Sequence, residues 1–200
     1  MNILHLDSSI LGDASASRSL TNDIVATLVR AHPHADVVRR DLAASISGHF
    51  DGALLAARST PPELRSAEAR ALTGRADTVM AEFLAADVVV IGAPMYNFGL
   101  PSQLKTWIDL ITVAGQTFRY TESGPQGLAG NKRVIIAATA GGKHAGQPGG
   151  AAHVDYLKYL LGFLGIKDIE VVTAEGLAIG PEQREAALAA AREALEMVAA

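Results

Sequence analysis

The sequence predicts an α/β fold: a five-stranded parallel sheet in the order 2-1-3-4-5, with helices on both faces. Two observations carry this. Short apolar or β-branched runs at residues 3–6, 37–38, 88–91, 134–138 and 169–172 alternate with longer segments of helical periodicity. The runs show little polar alternation, which suits strands covered by helices on each side.

The helices follow in order. Leu20, Ile24, Val25, Leu28 and Val29 recur at three- and four-residue spacing and place a helix from near Arg18, behind a serine-rich start. Residues 63–84 form a second helical region, expected to break or bend near Thr73 and Gly74. Leu104, Trp107, Ile108 and Ile111 mark a third, and residues 154–164 a fourth. The last spans 182–199, with Pro181 in its first turn.

A chain of 200 residues that is 49% hydrophobic can bury a substantial core and reads as one domain, residues 1–200. With 17 basic against 21 acidic residues it has no electrostatic footprint for nucleic acid or an anionic membrane, so small molecules are the expected partners. No cysteine is present, so redox chemistry would need a bound cofactor. Residues 1–6 begin as a short, largely apolar run that meets Asp7 and two serines without a basic start, unlike a signal peptide, and no apolar stretch is long enough to span a bilayer. A cytoplasmic location is the expectation.

In a sheet of this order ligands bind beyond the carboxyl ends of the strands, beside the first and third. Three loops leave there. The first, Asp7-Ser8-Ser9-Ile10-Leu11-Gly12-Asp13-Ala14-Ser15-Ala16-Ser17-Arg18, crowds serines and amides onto a helix N-terminus. That suits the phosphate of a mononucleotide, while an ordinary N-cap at Ser15 or Ser17 explains two or three of these residues equally well. The second, Gly92-Ala93-Pro94-Met95-Tyr96-Asn97-Phe98-Gly99-Leu100-Pro101, offers flat apolar surfaces and backbone donors to a heteroaromatic ring, or plugs the core. The third, Thr139-Ala140-Gly141-Gly142, allows close backbone approach to a ligand, or is a flexible connection. The three acquire meaning together, because the fold brings them to one place.

Neither G-x-G-x-x-G after the first strand nor G-x-x-x-x-G-K-[ST] occurs. Of six histidines only His32 and His34 form a close pair, in a context that reads as a solvated turn, so no metal site is expected. A hydrolase using Ser8 or Ser9 lacks both the G-x-S-x-G and H-E-x-x-H signatures. A phospho-acceptor domain would want an aspartate where Ala93-Pro94 stands. A one-electron flavodoxin-type carrier usually shows a more acidic face than a net charge of -4 provides.

Over nearly its whole length the chain resembles the bacterial FMN-dependent NADH azoreductases, also described as NADH:quinone oxidoreductases, of flavodoxin-like fold. The resemblance rests on Ser8-Ser9-Ile10-Leu11 with Ser15-x-Ser17, and on Ala93-Pro94-Met95-Tyr96-Asn97-Phe98. It extends to Thr117-Phe118-Arg119-Tyr120-Thr121-Glu122-x-Gly124-Pro125-x-Gly127-Leu128 and Ala174-Glu175-Gly176. It implies that Ser9, Ser15, Ala16 and Ser17 hold the FMN phosphate, that Pro94, Met95, Tyr96, Asn97 and Phe98 lie along the isoalloxazine edge, and that Thr139, Ala140, Gly141 and Gly142 border its pyrimidine side. Family members often carry serine-arginine at positions 139 and 140, so any charged contact there is missing. The resemblance further implies a homodimer whose second chain roofs the pocket, with Phe118, Tyr120 and Phe163 as substrate-lining candidates, while plain core or dimer packing explains Phe163 at least as well. The implied activity is two-electron, ping-pong hydride transfer from NADH, or NADPH, to quinones and azo compounds. No side chain is assigned as catalytic; water or Tyr120 is the candidate proton donor, and Arg58 or Arg65 a candidate for a 2′-phosphate.

Overall fold

The computed structural model describes residues 1–44 and 48–198. The run Val88-Val89-Val90-Ile91 opens the central strand β3 (Val88–Pro94), whose seven residues are all buried. β3 pairs in parallel with β1 (Asn2–Asp7) on one side and with β6 (Arg133–Thr139) on the other; β2 (Asp36–Asp41) and β7 (Asp168–Ala174) form the edges.

Alternate residues of the inner strands enter two cores. Leu4, Leu6, Val89, Ile91, Val134 and Ile136 pack under α3 (Ala67–Ala85), α4 (Ser102–Ile111) and α5 (Ala152–Phe163), where Phe83 and Trp107 meet edge to face at 5.6 Å. Ile3, Val88, Val90, Ile135 and Ala137 pack under α1 (Ala16–Ala31) and α6 (Pro181–Val198). Helices therefore cover both faces.

Three expectations need correction. Residues 118–127 form an antiparallel hairpin, β4 (Phe118–Thr121) and β5 (Gly124–Gly127), so the sheet order becomes 2-1-3-6-7 instead of 2-1-3-4-5. β2 is not buried on both faces: it is an edge strand, paired on one side alone, with Val37 and Val38 41% and 45% exposed, and its arginines form ion pairs, Arg39 with Asp7 and Arg40 with Glu82. The helical region 63–84 has no break at Thr73 and Gly74. Gly74 faces open space, and one glycine, costing about 1 kcal/mol, does not stop a helix of 19 residues. Ahead of it lie a 3₁₀ turn (Pro62–Leu64) and a separate helix α2 (Gly52–Ser59), capped by Asp51 accepting from the Leu54 amide at 2.9 Å. The expected last residue of the final helix, 199, lies outside the described residues.

The hairpin docks on the end of α5 through backbone. A Cβ on Gly127 would stand 2.2 Å from the Gly165 nitrogen, and Gly165 adopts φ 96°, so neither position has room for a side chain. The Ala129 amide donates to the Leu164 carbonyl at 2.9 Å and extends the contact.

At the carboxyl end of β1 the Asp7 carboxylate is fully buried. Arg39 donates to it at 2.7 and 3.0 Å and Thr21 at 2.9 Å, with His5 Nε2 at 3.4 Å and Arg18 at 3.8 Å. Burial pushes its pKa up, but the nearby His5 ring and the bonds from Arg39 and Thr21 outweigh this and leave it at about 2. This polar knot joins β1, β2 and α1 beneath the first loop.

Two outcomes follow from these contacts. Gly127→Ala is expected to lower stability by about 1–3 kcal/mol, seen as a lower denaturant midpoint at unchanged slope, since the added methyl meets backbone that cannot rotate away. Asp7 is depressed in the folded state. Its contribution is therefore present above about pH 4 and lost as pH falls toward 2, a loss of about 2 kcal/mol that Asp7→Asn should remove from an acid titration of stability.

Candidate functional site

Parallel register carries the three loops to one edge. Asp7 ends β1, and β3 and β6 run two to three residues further, Pro94 lying beside Thr139 and Thr139 beside Ala174.

The first loop is tied to the second by hydroxyls. Ser8 is fully buried and donates to the Gly92 carbonyl at 2.6 Å. The Tyr96 hydroxyl stands 3.1 Å from Ser9 Oγ and accepts from the Ile10 amide at 3.2 Å, while Ser9 Oγ accepts from the Leu11 amide at 3.3 Å. A 3₁₀ turn (Gly12–Ala14) leads to Ser15, which caps α1 by accepting from the Arg18 amide at 3.2 Å and lies 3.1 Å from Ser17 Oγ. The N-cap reading of Ser15 is thus correct. Among the described residues the Ala16 and Ser17 amides, in the first turn of α1, have no acceptor. Arg18 reaches back to the Ser9 carbonyl at 2.9 Å and grips Asp41 with two bonds of 2.6 and 2.7 Å, which fixes the loop against the end of β2. The same pairing raises the pKa of Arg18 and lowers that of Asp41.

The second loop turns through Tyr96, Asn97, Phe98 and Gly99. Tyr96 and Gly99 exchange amide-to-carbonyl bonds of 3.0 and 2.9 Å, and both central residues are left-handed, Asn97 at φ 50° and Phe98 at φ 64°. Asparagine tolerates this region; for phenylalanine it is strained. Phe98 is 63% exposed, its ring edge-on to His144 at 5.5 Å. The Met95 amide donates to Thr139 at 2.7 Å and binds this loop to the third.

The third loop is zipped to the exit of β7. Leu177, Ala178 and Gly176 donate to the carbonyls of Ala140, Gly141 and Gly142 at 3.2, 2.9 and 2.8 Å. Glu175 Oε2 accepts from the His144 and Ala145 amides at 2.9 and 3.0 Å, a role for the Ala174-Glu175-Gly176 motif that spacing alone did not suggest. A Cβ on Gly142 would lie 2.8 Å from His144 Nε2.

Between the loops runs a groove of about 160 Å³. Ser9, Ser15 and Ala16 line one end, Pro94, Met95 and Tyr96 one side, and Thr139, Ala140 and Gly141 the other. Nine of the predicted residues are thereby brought together. Ser17 stands behind Ser15, Asn97 and Phe98 form the adjacent turn, and Gly142 lies outside the lining. Leu11, Leu177, Ala178 and Arg184 complete the groove and were not foreseen; only the Glu175 motif pointed toward that segment, and it stopped short of residues 177–184.

Phe118, Tyr120 and Phe163 do not line this groove. Phe118 is core, packed on Phe163 at 4.8 Å, and Tyr120 is 75% exposed with its ring edge-on to Phe118 at 5.5 Å. Arg58 bonds the Leu110 carbonyl and Arg65 the Thr60 carbonyl, both away from the groove. A larger cavity of about 710 Å³ lies beyond the third loop, sharing Thr139 and Ala140 with the groove. His153 in its wall is buried with both ring nitrogens unpartnered, and burial lowers its pKa. Among the described residues no cluster of three or more His, Cys, Asp or Glu could hold a metal, and no helix is long and apolar enough to cross a membrane.

Comparison with known proteins agrees with this fold. The family model described as flavodoxin-like fold matches residues 1–198. FMN-dependent NADH:quinone oxidoreductase 2 of Pseudomonas aeruginosa is 62% identical over 192 residues, covering 96% of this chain and 95% of the relative; FMN-dependent NADH:quinone oxidoreductase 1 of Pseudomonas putida is 57% identical with the same coverage. Among solved structures, an azoreductase from Bacillus anthracis superposes with TM-score 0.89 at 29% identity, covering 100% of this chain and 98% of its own. An FMN-dependent NADH-azoreductase from the same species, in complex with FMN, gives 0.87 at 25% identity, covering 100% and 99%. Sequence and fold together make this chain a member of the FMN-dependent NADH:quinone oxidoreductase family, built on the flavodoxin-like fold.

Proposed function

We propose that the chain binds FMN in the groove at the carboxyl ends of β1, β3 and β6, and uses NADH to reduce quinones and azo compounds in two successive half-reactions. The observation that carries this is the pair of acceptor-free amides at Ala16 and Ser17, opening a helix beside buried Ser9 and Ser15 at one end of a groove whose sides are backbone and apolar side chains. Such a place fits a phosphate followed by a flat ring. The names of the relatives support the same reading.

In this reading the Ala16 and Ser17 amides and the Ser9, Ser15 and Ser17 hydroxyls hold the phosphate. Met95, Tyr96, Asn97 and Phe98 lie along one ring edge, with Pro94 fixing the start of their turn. Thr139, Ala140, Gly141 and Gly142 border the pyrimidine side, held there by the β7 exit and Glu175. When bound, FMN would supply the two-electron redox centre between NADH and the acceptor. The protein contributes binding and orientation. Reduction of a quinone oxygen or azo nitrogen also needs a proton, for which water and the exposed Tyr120 hydroxyl are the candidate donors.

A groove of about 160 Å³ is well below the roughly 300–1,000 Å³ of sites that enclose a ligand. A second copy of the chain covering it would make up the difference. The exposed side chains Ile10, Leu11, Phe98 and Tyr120 are the surface such a homodimer would bury, and Tyr120 would then reach the partner's groove from a hairpin braced by Phe118 and Phe163.

A hydrolase is disfavoured by the same geometry. Ser8 is fully buried and bonded to a main-chain carbonyl, and Ser9 is bonded to Tyr96, so neither is a free nucleophile beside a base.

The test is the visible spectrum of the FMN-reconstituted protein under anaerobic conditions: flavin bands should bleach with NADH and return on addition of a benzoquinone, and protein that retains no FMN would remove the proposal. Tyr120→Phe should slow turnover of at least one acceptor while leaving bleaching by NADH unchanged; equal turnover on every acceptor would exclude the tyrosine as donor.

A further inference from the structure

Among the described residues Arg184 is the one charged side chain that lines the groove. It stands in the first turn of α6, half-buried, and its guanidinium donates to the Ala14 carbonyl at 3.1 Å, one residue before the Ser15 cap. This anchors it at the serine-rich end. Four of its five donor hydrogens remain, and among the described residues no carboxylate pairs with it. The other nearby cation, Arg18, differs in both respects: it grips Asp41 with two bonds and lies 3.8 Å from Asp7, so its charge is matched within the protein.

We propose that Arg184 is the charged partner of the ligand's phosphate, and that it makes this groove select a phosphorylated flavin over its unphosphorylated form. The proposal rests on the FMN reading above and extends it to a residue of α6. Serine hydroxyls and helix amides alone offer neutral donors and partial charge; a dianionic phosphate gains more from a guanidinium, whose planar fork can take two of its oxygens. The bond to Ala14 holds the head in place before the ligand arrives, which reduces the ordering that binding must impose.

The experiment is a pair of titrations, FMN and riboflavin, by flavin fluorescence quenching on apo-protein at low and high salt. Wild type should bind FMN more tightly than riboflavin, with FMN affinity falling as salt rises. Arg184→Ala should weaken FMN about 10- to 100-fold, leave riboflavin unchanged and flatten the salt dependence; Arg184→Lys should recover part of the loss through a single point charge. If Arg184→Ala weakens FMN and riboflavin equally, Arg184 serves only to hold the Ala14 loop and the proposal is overturned. If the variant keeps the full preference for FMN that wild type shows, the phosphate has another partner and the proposal is again overturned. Wild type that does not distinguish FMN from riboflavin would instead overturn the assignment of the phosphate end itself.

Discussion

Parallel pairing of β1, β3 and β6 is the constraint on which the rest depends. Strands that run the same way end at the same edge, so three loops far apart in sequence leave the sheet side by side. Both faces of these strands are covered, which requires the near-unbroken apolar runs at 88–91 and 134–138 and leaves the strand ends as the place where polar groups gather. Chemistry at this edge is a result of topology before it is a property of any residue.

The loops are held by bonds to one another. Ser8 to Gly92, Tyr96 to Ser9 and Ile10, Met95 to Thr139, and the β7 exit to residues 140–142 make a continuous chain of contacts along the groove. The Asp7 knot below and the Arg18–Asp41 pair beside it remove the remaining freedom of the first loop. A ligand meeting this edge therefore finds backbone donors already in position.

The fold was legible in the sequence wherever burial was two-sided, because β1, β3 and β6 and the apolar faces of α1 and α4 repeat a pattern that only burial explains. It was illegible where contacts across the fold outweigh local pattern. The hairpin lacks apolar alternation and is held by the backbone fit of Gly127 to Gly165, and β2 is an edge strand stabilised by ion pairs that spacing cannot display. The site divides likewise. The three loops follow from the strand-end rule, and the choice of Ser9, Ser15, Ala16, residues 94–96 and 139–141 within them is what the family resemblance implies, whereas Leu177, Ala178 and Arg184 reach the groove from a segment with no motif of its own, by way of the β6–β7 pairing. Phe118 and Phe163 look like ligand-facing aromatics in a list of residues, yet in three dimensions they pack on each other.

The turn at Asn97 and Phe98 has a consequence for engineering. Phe98 holds a backbone conformation that glycine would adopt without strain, at a cost on the order of 1–3 kcal/mol, and does so in an exposed turn where its ring adds little to the core. A search for thermostable variants guided by folding energy alone would select glycine there. It would thereby remove the exposed ring that meets His144 edge to face beside the groove, so an easier backbone would come at the loss of a contact between the second loop and the segment after the third.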